Sequence, residues 1–138
     1  MRENKFRAWD KEHNKMWFTG EEGERIGDWT FQTYFNKQGC LEAVILRCFY
    51  NGVGLENQDI KLPIMQDTGM RDKNGTKIYD GDIIKSYCEL YKVVFNRTSF
   101  KIQNLNHPNA NLFLFEYLNF DIAEVIGNIY ENPELLKG

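Results

Sequence analysis

Asn74-Gly75-Thr76-Lys77-Ile78-Tyr79-Asp80-Gly81-Asp82-Ile83 carries two turn signals with four residues between them. Asn-Gly is the pair that a two-residue type I′ hairpin turn selects, because both central positions need φ > 0. Asp80-Gly81-Asp82 makes a second tight turn that re-aims the chain into a strand over residues 83–87. Further along, residues 91–95 and 100–103 flank residues 96–99 as a second hairpin, and residues 124–130, which include Gly127, read as a final strand. Asn132-Pro133-Glu134 then suits a helix start, with Asn132 as N-cap, Pro133 at the first helical position and Leu135-Leu136 packing back. Asn74, Gly75, Asp80, Gly81, Asp82, Gly127, Asn132 and Pro133 are the residues expected to set the turns. Residues 112–118 form an apolar run that fits a buried strand or a short helix. Short strands broken by turn chemistry at this spacing predict a mainly β protein, a small barrel or sandwich with little helix.

The first half is β-rich on the same grounds. Lys5-Phe6-Arg7-Ala8-Trp9 alternates, residues 10–14 are polar and turn-like, and Lys15–Thr19 returns with Met16, Trp17 and Phe18, which gives an N-terminal hairpin. Residues 21–28 are charged and hold Gly23 and Gly27, so a loop is expected there. Residues 29–35 alternate as a further strand. Residues 40–50, β-branched at Val44 and Ile45, favour strand over helix. The expected organisation is one domain over residues 1–138 with two lobes, 1–62 and 63–138, and residues 58–66 standing between them.

Bulk properties exclude several function classes. Aromatic residues reach 14% and only Ser86 and Ser99 supply serine, which argues against disorder. A net charge of −3 lowers the odds of phosphate-backbone binding, which relies on clustered Lys and Arg. Three cysteines, Cys40, Cys48 and Cys88, leave one unpaired in any disulfide scheme. No signal-peptide pattern and no run near the roughly 20 apolar residues of a membrane span is present. The expected setting is a reducing cytoplasm with free, mostly packed thiols and no membrane partner.

The chemistry-bearing patterns fail one by one. Asp72-x-Asn74 opens like a calcium loop, but Thr76, Lys77 and Ile83 occupy its fifth, sixth and twelfth positions. Asp80 and Asp82 form a carboxylate pair, yet on a turn tip both are expected to be solvated. The cysteines are too far apart for a zinc knuckle, and neither His13 nor His107 lies near one in sequence. Asn51-Gly52-Val53-Gly54 lacks the third glycine of a dinucleotide loop, with Asn57 in its place. No nucleophile elbow or Walker sequence occurs. No catalytic residues, metal ligands or cofactors are assigned, and the chain is not expected to be an enzyme.

Three segments resemble the YopX family, small proteins of phages and prophages in Gram-positive bacteria. They are Lys5-Phe6-Arg7-Ala8-Trp9-Asp10, then Thr68-Gly69-Met70-Arg71-Asp72-Lys73-Asn74-Gly75-Thr76-Lys77-Ile78-Tyr79-Asp80-Gly81-Asp82-Ile83, and finally Val125-Ile126-Gly127-Asn128-Ile129-Tyr130-Glu131-Asn132-Pro133-Glu134-Leu135-Leu136. Their order and spacing span the chain. The resemblance implies a β-rich fold whose C-terminal half is a small SH3-like barrel, and it implies homo-oligomers. It brings no biochemical activity. Asp67 stands where the resemblance implies an aromatic residue.

The aromatic third of the chain remains. Trp17, Trp29, Phe31, Tyr34 and Phe35 sit among Lys11, Lys15, Arg25 and Lys37, a mixture used for single-stranded nucleic acid. The intervening Glu21, Glu22, Glu24 and Asp28 oppose that reading, and core or interface rings of a small β lobe account for them better. Trp29, Phe31, Tyr34 and Phe35 are the candidate interaction surface. The expected function is a non-catalytic phage accessory protein that contacts itself and a host or phage protein; single-stranded nucleic-acid binding is the alternative.

Overall fold

Trp17 and Phe31 lie face to face, their ring centroids 4.9 Å apart and their planes 4° from parallel, at the heart of one of two cores. The computed structural model describes residues 6–96, 99–107, 109 and 112–137. The chain divides into two compact units, Met1–Met65 and Gln66–Gly138.

In the first unit, β1 (Phe6–Asp10) and β2 (Lys15–Phe18) form the predicted N-terminal hairpin, with Trp9 opposite Met16 and Ala8 opposite Trp17. An antiparallel sheet follows, ordered β3 (Arg25–Ile26), β4 (Trp29–Phe35), β5 (Leu41–Tyr50) and β6 (Leu55–Leu62). Ala8, Trp17, Phe31, Ala43, Ile45 and Leu62 make the core. The aligned partners Phe31, Ile45 and Ile60 share one face, as the period of two requires. One expectation is corrected here. Residues 21–28 are not all loop, since Arg25 and Ile26 pair with Thr30 and Trp29. Residues 58–66, within which one unit gives way to the next, run through β6 and into β7 (Ile64–Arg71). The polar composition of β6 hid it, because most of its side chains are exposed.

In the second unit, β7 pairs with β8 (Lys77–Tyr79). A five-stranded antiparallel sheet curls in the order β12 (Phe113–Leu114), β11 (Ser99–Asn104), β10 (Glu89–Asn96), β9 (Asp82–Ser86), β13 (Glu124–Asn128). Its core is Ile78, Ile84, Val93, Ile102, Phe115, Leu118 and Ala123. The run at 112–118 divides: Phe113–Leu114 is a strand, β12, but an exposed one and not the buried strand expected, and a single 3-10 turn follows at Phe115–Tyr117. The turn expected between β10 and β11 falls partly on residues 97 and 98, outside the described residues.

The turn residues behave differently from expectation in four places. Asn74 and Gly75 do not form a type I′ turn, because Gly75 has φ +81° but Asn74 is not left-handed. The Gly75 N–H instead donates to Asp72 O (3.0 Å) and the Asp72 N–H to Thr76 O (2.9 Å), closing a three-residue loop with glycine at the left-handed position. Gly127 is no turn: it lies in β13 beside a register shift opposite β9, where an added Cβ would come 2.7 Å from Asn132 Cγ. Asn132 and Pro133 do open a helix, Pro133–Lys137, with Asn132 O accepting the Leu135 N–H (3.1 Å), but it is a short 3-10 helix in which Leu136 stays exposed. The Asn132 side chain gives no forward cap, since its Oδ1 turns back to accept the Asn128 N–H (3.2 Å). Asp82 is not solvated either. It is 1% exposed and accepts the Tyr79 N–H at 2.7 Å, which locks the tight turn through Gly81 (φ +89°).

Candidate interaction surface

The strand alternation of β4 places Phe31, Thr33 and Phe35 on one face and Thr30, Gln32 and Tyr34 on the other. Only part of the inner face is covered. Phe31 is 1% exposed while Phe35, two pleats along, is 72% exposed. Phe31 therefore leaves the candidate surface and joins the core, because Trp17 stacks on it. Trp29 is half-buried; the Arg47 guanidinium lies 4.8 Å over its ring, and His13 packs edge-on at 6.1 Å. Tyr34 and Phe35 are exposed at the far end of β4, opposite Glu42 and Leu41.

Glu42 organises that end. Its carboxylate accepts from the Tyr34 hydroxyl (2.8 Å), the Asn36 side-chain amide (2.9 Å) and the Lys61 ammonium (3.0 Å). The hydrogen bonds from Asn36, Lys61 and Tyr34 together draw its pKa down to about 2. The reciprocal effect raises Tyr34, first through its hydrogen bond to Glu42. The cluster holds Tyr34 in one orientation across the sheet.

The other end of the same sheet carries a feature that sequence reading missed. Pairing of β4 with β5 reaches Leu46, whereas β6 pairs with β5 as far as Tyr50. Residues 47–50 and 55–58 thus extend as a two-stranded arm, with Arg47 stacked 4.6 Å over the Phe49 ring near its base. Tyr50, Val53 and Leu55 at the tip are 67%, 93% and 79% exposed. The tip is nevertheless built: Asn51 Oδ1 accepts the N–H groups of Val53 (2.9 Å) and Gly54 (3.0 Å), and Asn51 Nδ2 donates to Glu56 (2.9 Å). The signal in the sequence was Asn51-Gly52-Val53-Gly54 itself, two glycines around an apolar residue with Asn to fold the loop.

The acidic groups that could have carried chemistry are tied into the backbone and core. Asp10 is fully buried and accepts from Trp17 Nε1 (3.0 Å), from the His13 N–H (3.2 Å) and from the His13 ring at Nδ1 (2.7 Å). Asp72, 7% exposed, accepts the N–H groups of Asn74, Thr76 and Val125, each at 2.9 Å. Burial alone would raise its pKa; the three N–H groups and the nearby Lys73 charge outweigh that and lower it. Cys40, Cys48 and Cys88 are free and exposed, not packed as expected. Among the described residues, no group of three or more His, Cys, Asp or Glu is placed to hold a metal ion, and no helix is long and apolar enough to cross a membrane.

Comparison with known proteins agrees with the three sequence segments. No curated protein matches the chain. The crystal structure of protein EF1440 from Enterococcus faecalis is similar at 26% identity and a TM-score of 0.55, covering 96% of each chain. The sequence model of the YopX protein family matches residues 5–137, nearly the whole length, and the chain belongs to the YopX family.

Proposed function

We propose that this protein is a non-catalytic phage or prophage accessory protein that works in the host cytoplasm through protein–protein contact, as a homo-oligomer. In the same reading the curled sheet of the second unit is a small SH3-like barrel. The observation that carries the proposal is the arm of β5 and β6. Three large apolar side chains stand almost free at its tip, on a loop that Asn51 holds in one shape. Exposed apolar groups cost solubility, and a preordered loop lowers the entropy lost on docking, a combination that suits a contact surface. Tyr34 and Phe35 offer a second exposed aromatic pair at the opposite end of the sheet. The engagement of Asp10 and Asp72 in core and backbone bonds supports the non-catalytic part.

Light scattering at micromolar protein is expected to give a mass well above the 16.3 kDa of one chain. Val53→Lys with Leu55→Lys should lower that mass while the β signature in circular dichroism is kept. Phe35→Lys tests the other end separately. A wild-type monomer across the micromolar range sinks the self-association. Binding of single-stranded nucleic acid is the competing reading, and a gel shift with short oligonucleotides that weakens with salt would favour it.

A further inference from the structure

We infer that the second unit carries a docking cleft for a partner protein's lysine set among apolar residues. This deepens the interaction-module reading and rests on it. The cleft is open, about 530 Å³, and is lined by Thr68, Met70, Ser99, Phe100, Phe115, Glu116 and Phe120. That volume lies within the roughly 300–1,000 Å³ of sites that take small ligands or side chains.

Its walls are set in place by packing and hydrogen bonds. Phe115 meets Phe120 edge-on at 5.1 Å and Phe100 at 6.3 Å with a 57° tilt, so the rings hold fixed orientations. The rim is made by an irregularity in β7. Asp67 lies opposite Tyr79, but Arg71 lies opposite Lys77, so four steps along β7 match two along β8. Such extra residues re-aim side chains and recur beside functional sites. Here they take Thr68-Gly69-Met70 out of the ladder. Thr68 Oγ1 donates to Ile78 O (2.7 Å) and accepts the Met70 N–H (3.2 Å), while Asp67 Oδ1 accepts the N–H of Gly69 (2.8 Å, φ +85°). Met70 is left 42% exposed at the cleft. A flexible thioether over aromatic rings is a surface that adapts to apolar side chains.

Charge chooses the occupant. Thr68 is already engaged, and the Ser99 hydroxyl faces Lys101 Nζ at 3.3 Å. The carboxylate lining the cleft is Glu116, which is exposed and has no ion-pair partner among the described residues. An apolar cleft with one unpaired carboxylate complements an aliphatic stem that ends in a positive charge.

The test uses the full chain with ¹³C-methyl methionine and three capped tripeptides, leucine-lysine-leucine, leucine-glutamine-leucine and leucine-glutamate-leucine. The Met70 methyl should shift saturably, whereas the buried Met65 methyl should not. The lysine peptide should bind about three- to fivefold more tightly than the glutamine peptide, with glutamate weakest, as one solvent-facing ion pair allows. Glu116→Gln should keep binding but bring lysine and glutamine together. Loss of the preference in that variant supports the inference. Absence of a saturable Met70 shift up to about 10 mM overturns it, because affinity would then be weaker than any docking role needs. A preference that survives Glu116→Gln, or no preference at all, also overturns it. Light scattering reads self-association and is blind to this cleft, so the two proposals can fail separately.

Discussion

The two units bury carboxylates for opposite ends. In the first, Asp10 gathers the side-chain donors of Trp17 and His13, with the His13 backbone N–H beside them, and so fixes how rings sit in a core. In the second, Asp72 gathers only backbone N–H groups and so fixes the path of the chain, tying its loop to Val125 in β13. The difference follows the cores. A unit organised on a stacked Trp17–Phe31 pair needs its large rings oriented, whereas a curled sheet filled mostly by Ile, Val and Leu needs its strand ends held. A buried carboxylate is therefore weak evidence for catalysis until its partners are known.

The contrast can be broken by substitution, and all three tryptophans (Trp9, Trp17 and Trp29) lie in the first unit, so tryptophan fluorescence, excited selectively over tyrosine, reports from that unit. Trp17→Ala is expected to cost about 3–5 kcal/mol, as for large core aromatics, with Trp17→Phe recovering most of it. Urea unfolding followed through Trp9 and Trp29 checks both. If the two variants are equally damaging, the bond to Asp10 outweighs the stacking. Asp72→Ala should cost about 2–4 kcal/mol, because three backbone donors lose their acceptor. Its transition should move more in circular dichroism than in fluorescence, and coincident shifts would mean that the units unfold as one. Gly75→Val should cost about 1–3 kcal/mol, since space is open around the position and only the φ of +81° opposes a side chain. An unchanged melting temperature would show that the loop re-forms around a different turn.

The smallest effect is electrostatic. Glu42 has a folded pKa of about 2, below its ordinary 4.5, so the stability it contributes is fully present above pH 4.5. That contribution fades as pH falls from there toward 2. Asp72 is lowered in the same sense, so acid weakens both units. Glu42→Gln should flatten the acid limb seen by fluorescence and leave the Asp72 part. An unaltered acid limb would mean that solvent screens the cluster at the sheet surface.

Strand positions were legible wherever turn chemistry bounded an alternating run, as at residues 6–18 and 74–86. Burial depth was not. Phe31 and Phe35 share a face by alternation, and nothing local says that cover ends between them. Asp10 and Asp82 look like solvent-facing turn residues because their type is polar; their burial depends on Trp17, seven positions away, and on the inward aim of the turn. Asn74-Gly75 signalled a turn correctly but not its type, because the Asp72 carboxylate accepts the Asn74 and Thr76 N–H groups and stabilises a longer loop. The arm was missed because β6 is polar, and the cleft because its rim depends on a mismatch between two strands.

The Asp72–Val125 bond joins positions 53 residues apart. On a chain emerging from the ribosome, that clasp cannot close until β13 has been synthesised. The hairpins of the first unit, by contrast, pair neighbours in sequence and can form as they appear. Phe100, Phe115 and Phe120 must then wait in a partly made sheet, with loop closure still opposing them. The order of synthesis thus gives the second unit the slower and more aggregation-exposed half of folding, and it makes the arrival of β13 the step that ends that exposure.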